Sequence, residues 1–286
     1  MDFTKIQGAG NDFVVIEASR INNNWPEMAA VMCDRHFGIG ADGLLVVMPS
    51  ASADFEMHIF NHDGSEAEAC GNGLRCLVRY VVETGLIDSD AEELEIETIA
   101  GIRKAWVTHE TGKLPRIQVN MGAPEFAAED IPVLLESPEG DTVDIKSLLS
   151  NNLVIDGKIL LLYFVSMGNP HAVYFGDRPV ADFPLPQLGP KIETHNIFPN
   201  RINFEVAQII NRHQISARVW ERGVGETLAC GSGACAISVA ARLLGHTDST
   251  VEIQLPGGTL EICWQQGNEV RLSGPTEIVY SGKWIR

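Results

Sequence analysis

The chain has 286 residues, of which 45% are hydrophobic, and its formal net charge is −17 at pH 7. This length is sufficient for two domains, each with a core of its own. The strongly acidic balance argues against a surface that binds nucleic acid or an anionic membrane. The net charge says little about whether a small zwitterionic molecule binds.

The first residues, MDFTKIQGAGND, lack the basic and apolar regions of a secretory signal. The longest apolar run, residues 159–165, is too short to cross a bilayer. The six cysteines have neither the spacing of a disulfide framework nor that of a zinc site. We therefore expect a cytosolic protein that binds no metal.

Patterns in the first half of the chain predict a mostly β structure. The predicted strands are residues 3–7, 13–17, 44–48, 55–60, 94–98, 103–108 and 117–120. Residues 25–36 predict a short helix, and a second helix follows Cys70. Because Arg75, Arg79 and Glu83 form a polar stripe, this second helix is expected to be slightly less buried than the corresponding helix of the second half.

The second half repeats this organisation. The predicted strands are residues 160–165, 172–175, 202–210, 218–221, 251–255, 259–264 and 276–280. The apolar run 234–244, which ends at Gly245, predicts a helix buried on every side. The proline-rich stretch 179–190 is expected to be a connection. Since periodicity fades over 121–138, we predict domains at 1–122 and 123–274, with 275–286 returning to the first.

An internal duplication relates the two halves. Aligning Cys70 with Cys230 (230 − 70 = 160) also superposes several other identical residues. These are Glu66 and Glu226, Ala69 and Ala229, Gly71 and Gly231, Gly73 and Gly233, and Gly85 and Gly245. A second match joins Gly10-Asn11 to Gly168-Asn169 at nearly the same offset (168 − 10 = 158).

The duplication predicts a mixed α/β (α+β) fold with two pseudo-symmetric domains. Each domain is expected to be a curled, mostly antiparallel sheet around one central apolar helix. Pseudo-symmetry would allow the two helix starts, and hence Cys70 and Cys230, to face each other across one cleft. We expect the active site there.

The helix starts suggest how such a site would work. Gly231 and Gly233 are poor helix formers, which suits a backbone that a carboxylate or phosphate approaches closely. A cysteine at this position is expected to have a lowered pKa. The alternative, a small-residue turn beside an inert buried cysteine, explains one such motif more readily than two.

Two facing cysteines suit the inversion of a carbon atom beside a carboxylate. A thiolate would remove the proton from one face, and a thiol would return a proton to the other. His171 and Glu221 are candidates for setting which cysteine is ionised. The lysines and glycine motifs match neither a pyridoxal phosphate site nor a dinucleotide site, so cofactor-free chemistry is favoured.

Five segments between residues 8 and 236 resemble the signatures of diaminopimelate epimerase. They are GAGNDFVVI, RHFGIGADGLLVV, NHDGSEAEACGNGLRC, MGNPHAV and ERGVGETLACGSGACA. The resemblance implies two α/β halves with the active site between them, and a possible homodimer. It also implies cofactor-free interconversion of LL- and meso-diaminopimelate in lysine and cell-wall biosynthesis.

The resemblance assigns roles to individual residues. It implies that Cys70 and Cys230 are the acid/base pair and that His171 lies close to them. The backbone at Gly71, Asn72, Gly231 and Ser232 is expected to hold the reacting carboxylate. The distal amino-acid end would contact Asn11, Asn61, Asn169, Asn203, Glu221 and Arg222. Gly43 stands where some members carry a glutamine. We therefore expect no side-chain ligand at this position, although its backbone could contact the substrate.

Other functions remain open at this point. A proline or hydroxyproline racemase would keep both thiols but would not need groups for a second amino-acid end. A redox sensor could join Cys70 to Cys230 in a disulfide, and a non-catalytic amino-acid-binding module would not need the thiols at all. The asparagines could simply form turns.

Overall fold

The computed structural model describes residues 1–19, 24–67, 70–88, 91–109, 115–135 and 148–285. Ala69 and Pro138, used in the sequence argument, lie outside these ranges. The chain divides into two compact units, one of Met1–Asn120 with Ser273–Arg286 and one of Met121–Leu272. The predicted boundaries, after residues 122 and 274, each differ from this division by two residues.

Strands predominate in both halves of the chain. The first half forms β1 (Asp2–Gly8), β2 (Asn11–Glu17), α1 (Trp25–Cys33), β3 (Gly43–Met48), β4 (Phe55–Asn61), α2 (Gly71–Glu83), β5 (Glu93–Thr98), β6 (Gly101–Thr108) and β7 (Arg116–Asn120). The second half forms β8 (Leu149–Ile155), β9 (Lys158–Ser166), β10 (Pro170–Phe175), α3 (Leu185–Glu193), β11 (Asn203–Asn211), β12 (Gln214–Glu221), β13 (Gly225–Thr227), α4 (Gly231–Leu243), β14 (Thr250–Leu255), β15 (Gly258–Cys263), β16 (Arg271–Ser273) and β17 (Glu277–Lys283).

The two units share one strand topology. In the first unit, β17–β1–β2 are antiparallel, β2–β3 parallel, β3–β4 antiparallel, β4–β5 parallel, and β5–β6–β7 antiparallel. In the second unit, β8–β9–β10 are antiparallel, β10–β11 parallel, β11–β12 antiparallel, β12–β14 parallel, and β14–β15 antiparallel. The bridge between Phe60 and Glu66 recurs between Trp220 and Glu226, at the offset of 160. The predicted duplicated, mixed α/β architecture is confirmed.

Helix α2 is the centre of the first unit. It contacts the neighbouring strands β17, β1, β2 and β3 and also the distant strands β6 and β7. Because one helix reaches strands from both ends of the strand order, the sheet must curve around it. Arg75 and Arg79 are only 0% and 5% exposed, and α2 is buried over as much of its length as α4, so the expectation that α2 is the less buried helix is wrong. Arg75 can be buried because its guanidinium donates to Gly71 O (3.2 Å) and Asn72 Oδ1 (2.8 Å) within the same helix.

The second unit contains a helix that the sequence patterns did not predict. Stretch 179–190 was expected to be a connection, but α3 begins at Leu185. Pro186 lies in its first turn, where a backbone N–H has no helical partner and proline is tolerated. Leu185, Leu188 and Ile192 form the buried face of this helix. The prolines concealed this helical spacing.

Helix α4 is buried as predicted, and it contacts β9, β10, β11, β14 and β15. Strands β8, β13 and β16 had not been predicted. No helix within the described ranges combines the length and the apolar character needed to span a bilayer.

At one pair of equivalent positions, the first unit has a histidine and the second unit has an arginine. His58 Nδ1 lies 2.5 Å from Glu66 Oε1, and Arg218 Nε donates to Glu226 Oε1 at 2.8 Å (58 + 160 = 218). Burial lowers the pKa of His58, but its hydrogen bonds with Glu66 and Glu56 outweigh burial and raise the pKa above 6.5. Only the first unit's ion pair can therefore lose its charge near neutral pH.

We predict that His58→Arg reduces the pH dependence of stability. A raised histidine pKa stabilises the fold at low pH, and this stabilisation is lost as the pH rises through the folded-state pKa. The difference in unfolding free energy between pH 6 and pH 9 should shrink by about 1 kcal/mol or less. Urea denaturation measures it, with Arg218→Lys as the control that keeps the wild-type pH slope. Identical slopes for His58→Arg and wild type would contradict the prediction.

Candidate active site

Cys70 is the residue immediately before helix α2. Its extended backbone (φ −146°, ψ 112°) brings the thiol beside the first turn, where the Gly73 N–H donates to Sγ at 3.3 Å. The thiol also lies 3.8 Å from Asn11 Oδ1 and is half-buried. A negative charge at Sγ, or on a molecule beside it, would meet the positive end of the helix.

Asn11 is held in place from several sides. It follows a tight turn with positive φ at Ala9 (54°) and Gly10 (83°), the geometry of a two-residue hairpin. Its Oδ1 accepts from Asn72 Nδ2 (3.3 Å), and its Nδ2 donates to Asp42 Oδ2 (2.8 Å). The amide orientation of Asn11 is thereby fixed towards Cys70.

Asp42 belongs to a charged cluster that the sequence reasoning missed. Arg35 Nη2 donates to Asp12 Oδ1 and to Asp42 Oδ1, both at 2.7 Å, and Lys5 Nζ lies 2.5 Å from Asp12. Burial raises the pKa of Asp12, but Arg35 and Lys5 outweigh burial and lower the pKa to about 2. The only sequence signal for the part that Asp42 takes in this cluster is its position in RHFGIGADG, within a segment that resembles the family's signatures.

Cys230 occupies the equivalent position before helix α4. Its backbone is again extended (φ −119°, ψ 116°), and the residue is 5% exposed. Ser232 Oγ lies 3.5 Å from its Sγ and accepts from Asn169 Nδ2 at 3.3 Å. Asn169 and Ser232 thus repeat the contact between Asn11 and Asn72 in the first unit.

A buried acid–base pair lies next to this group. His171 Nε2 is 2.9 Å from Asn169 Oδ1, and His171 Nδ1 is 2.7 Å from Glu205 Oε1. His171 and Glu205 are both 0% exposed. Burial raises the pKa of Glu205, although His171 opposes the shift. Glu205 was not a predicted site residue, because nothing in a strand pattern distinguishes a buried glutamate from an outward-facing one.

The protonation of Cys230 differs from expectation. Burial raises the pKa of its thiol well above the usual value, and the negative charge of Glu221 raises it further. The hydrogen bond with Ser232 opposes these effects without overcoming them. The predicted lowering of the thiol pKa by the helix start is therefore wrong for Cys230, since desolvation outweighs the helix dipole.

The structure gives two further predicted residues backbone partners. Asn203 is 4% exposed; its Nδ2 donates to Pro170 O, and its Oδ1 accepts from the Arg222 N–H, both at 2.9 Å. The Arg222 side chain is exposed and donates to Asn200 O at 3.3 Å. Asn203 therefore positions the turn that presents Arg222.

The structure also gives the surroundings of the remaining predicted residues. Glu221 accepts from Thr227 Oγ1 at 2.5 Å and acts electrostatically on Cys230. Asn61 is exposed and donates to Ser65 Oγ at 3.0 Å. Gly71 and Gly231 are the buried first residues of their helices.

Gly43 has a steric reason to lack a side chain. A Cβ atom added there would lie 2.9 Å from Phe60 O in the neighbouring strand.

In the ranges that the structure describes, no group of three or more His, Cys, Asp or Glu side chains is arranged to hold a metal ion.

Comparison with known proteins decides the family. The family model described as diaminopimelate epimerase matches residues 3–127 and 163–279. The chain is 44% identical to the diaminopimelate epimerase of Pelotomaculum thermopropionicum, over 99% of each chain. It is 45% identical to that of Carboxydothermus hydrogenoformans, over the whole of both.

The chain belongs to the diaminopimelate epimerase family. The resemblance inferred from five motifs is confirmed, and the match includes both cysteine motifs. Among solved structures, a PhzF-family protein of Bacillus anthracis is similar over 100% of this chain and 99% of its own, with a TM-score of 0.69 at 16% identity. A hydroxyproline epimerase from Agrobacterium vitis is similar over 99% and 91%, with a TM-score of 0.66 at 13% identity. At these identities, the two structures show that the fold is shared.

Gly73 and Gly233 lie at equivalent positions in the first turns of α2 and α4, but their surroundings differ. A Cβ at Gly233 would lie 2.9 Å from Glu205 Oε1, which its bond with His171 holds in place. A Cβ at Gly73 would meet only the ends of Ile59 (3.0 Å) and Leu45 (3.4 Å), apart from its own helix cap. Flexible apolar ends can move more easily than a buried, hydrogen-bonded carboxylate.

We therefore expect Gly233→Ala to destabilise the protein by about 1–3 kcal/mol, because the new methyl group overpacks the site. The matched variant Gly73→Ala should cost less than about 1 kcal/mol, since alanine also favours the helix. Denaturant unfolding of both variants measures the difference. Equal stability losses would show that Glu205 does not restrict the space at Gly233.

Proposed function

We propose that this protein interconverts LL-2,6-diaminopimelate and meso-2,6-diaminopimelate without a cofactor, in the biosynthesis of lysine and peptidoglycan precursors. Membership of the diaminopimelate epimerase family supports the substrate and the reaction. The observation that carries the mechanism is the repeated placement of a cysteine immediately before a buried helix, Cys70 before α2 and Cys230 before α4.

The reaction inverts one carbon through two proton transfers. A thiolate takes the α-proton, and the electron pair of the C–H bond moves onto the adjacent carboxylate. A thiol on the opposite face then gives its proton to the same carbon, so one thiolate and one thiol are regenerated with their roles exchanged. This mechanism requires the thiols of Cys70 and Cys230 to lie on opposite sides of one bound molecule.

The helix starts would stabilise the charge that develops on the carboxylate. Gly71 and Asn72 begin α2, and Gly231 and Ser232 begin α4, so the backbone N–H groups of each helix start can be directed at a bound carboxylate. Such donors are already oriented before the reaction begins, so they favour the doubly charged intermediate over the substrate.

The environments of the two cysteines support different starting states. Burial and the nearby Glu221 favour the protonated form of Cys230. We therefore assign the thiol to Cys230 and the thiolate to Cys70 before substrate binds. Cys70 is half-buried and accepts the Gly73 N–H, an environment compatible with a negative charge.

The distal end of the substrate requires groups for a second amino acid. The exposed guanidinium of Arg222 can pair with a carboxylate, and Glu221 can accept from an ammonium group. Asn11, Asn61 and Asn169 carry both donors and acceptors. Proline or hydroxyproline, the alternative substrate class, would leave these groups without a second amino-acid end to bind.

We further propose that the protein works in a reducing compartment such as the cytosol. All six cysteines are free thiols in the structure. Oxidation that joined Cys70 to Cys230 would remove both the acid and the base. The proposed substrate makes the partner a small molecule, and we propose in addition that the protein is a homodimer.

We predict that incubation with LL-diaminopimelate in D2O yields the meso isomer with deuterium at one α-carbon only. Cys70→Ala and Cys230→Ala should each reduce kcat by at least about 10³-fold, because each removes one of two required proton carriers. Mass spectrometry and chiral chromatography give both measurements.

Two matched control cysteines lie in the helices that follow Cys70 and Cys230. Cys76→Ala and Cys235→Ala also remove one sulfur each from α2 and α4, at fully buried positions. Both should retain most of the activity. Substantial turnover by either Cys70→Ala or Cys230→Ala would exclude the two-thiol mechanism, and turnover of proline but not diaminopimelate would favour the alternative substrate.

A further inference from the structure

The second unit contains a buried ionisable pair where the first unit has an apolar pair. His171 corresponds to Phe13 (171 − 13 = 158), and Glu205 corresponds to Leu45 (205 − 45 = 160). The strand registers agree with this correspondence. Phe13 lies opposite Gly43 in the parallel ladder of β2 and β3. His171 lies opposite the residue equivalent to Gly43 in the ladder of β10 and β11.

The two pairs occupy the same place below the helix starts. Leu45 Cδ2 lies 3.4 Å from the Cβ position of Gly73 in the first turn of α2. Glu205 Oε1 lies 2.9 Å from the Cβ position of Gly233 in the first turn of α4. An ionisable side chain therefore lies against the first turn of α4, whereas a hydrocarbon side chain takes the equivalent position against the first turn of α2.

Burying this glutamate is energetically costly. Its Oε1 is bonded to His171, but its Oε2 is buried and has no hydrogen-bond partner among the residues that the structure describes. A buried carboxylate oxygen that lacks a donor destabilises a fold, whereas leucine at this position would not. The first unit shows that the same backbone accepts the apolar pair. Packing alone therefore does not account for Glu205.

Glu205 begins a chain of polar contacts that ends at a reactive thiol. It holds His171 Nδ1 at 2.7 Å, and His171 Nε2 is 2.9 Å from Asn169 Oδ1. Asn169 Nδ2 in turn donates to Ser232 Oγ at 3.3 Å, and that oxygen lies 3.5 Å from Cys230 Sγ. Each contact fixes the orientation of the next group.

We infer that Glu205 is a positioning residue for Cys230, acting through the polar chain that begins at His171. With a carboxylate on one side and an amide oxygen on the other, both ring nitrogens of His171 face acceptors. In its protonated form the ring donates to both acceptors, so its Nε2–H is directed to Asn169 Oδ1, and the Asn169 amide then presents Nδ2 to Ser232. The hydroxyl of Ser232 is thereby held beside the thiol.

The charge of Glu205 gives this role a measurable signature. Glu205 is one of the groups that raise the pKa of Cys230, after burial and Glu221. An uncharged residue at position 205 should therefore allow Cys230 to ionise at lower pH. A residue that served packing alone would leave the ionisation of Cys230 unchanged.

Two variants test the inference, which rests on the proposed function only for its kinetic part. Glu205→Gln keeps the shape and removes the charge. The double variant His171→Phe/Glu205→Leu installs the first unit's own pair, so that its fold is expected to persist. Circular dichroism and urea unfolding check folding, and iodoacetamide alkylation of Cys230, followed by peptide mass mapping from pH 6 to 10, reports its ionisation.

In both variants, the alkylation profile of Cys230 should move to lower pH by about one unit, a roughly tenfold faster reaction at pH 8. The profile of Cys70, measured in the same digests, should not move. Turnover of LL-diaminopimelate should show kcat reduced at least tenfold with KM changed less than threefold, because the chain acts on the thiol rather than on substrate affinity.

Unchanged Cys230 alkylation in both folded variants would overturn the inference, whatever the kinetics show. A lower kcat without an alkylation shift would assign Glu205 to packing and would also overturn it. If the wild-type protein does not epimerise diaminopimelate, the proposed function fails, but the alkylation measurement still decides the role of Glu205.

Discussion

Each unit is built on one constraint, which is that a cysteine directly precedes a helix with no exposed side over most of its length. Helices α2 and α4 are enclosed by curved sheets, so that packing on all sides sets where each helix begins. The thiols of Cys70 and Cys230 are therefore located by core packing and not by a flexible loop. Reactive groups supported by rigid elements need little reordering when a substrate binds.

The equivalent backbones carry different chemistry. The Cys70 thiol contacts the Asn11 amide, whereas Cys230 is more deeply buried and is affected by the negative charges of Glu221 and Glu205. The favourable effect of a helix start on an anion is about 0.3–1 kcal/mol, and up to about 2 kcal/mol in buried geometries. Full burial can shift a pKa by about 3–5 units, which corresponds to roughly 4–7 kcal/mol. Burial therefore decides the protonation of Cys230, and a two-base inversion needs this kind of inequality between its thiols.

The errors made from the sequence have physical causes in particular residues. Helix α3 was missed because Pro184, Pro186 and Pro190 suggested a connection. Pro184 and Pro186 lie at the start of the helix, where proline is tolerated, and Pro190 lies inside it. Helix α2 was expected to be slightly less buried than α4 because the charge of a residue such as Arg75 normally requires water. In the folded protein, two acceptors within its own helix replace that water. Glu205 was overlooked because strand alternation does not reveal whether a carboxylate has a buried histidine beside it.

The sequence by itself determined the duplication, the two cysteine motifs, most strands and the family, because these depend on local spacing and on identities at a constant offset. Only the tertiary structure decided which polar groups are buried together. His171 and Glu205 are far apart in the chain, as are Asn11 and Asn72, and they meet because neighbouring strands and the enclosed helices bring them together. Hydrogen bonding and proton affinity depend on those contacts and on the water they exclude, neither of which a local pattern records.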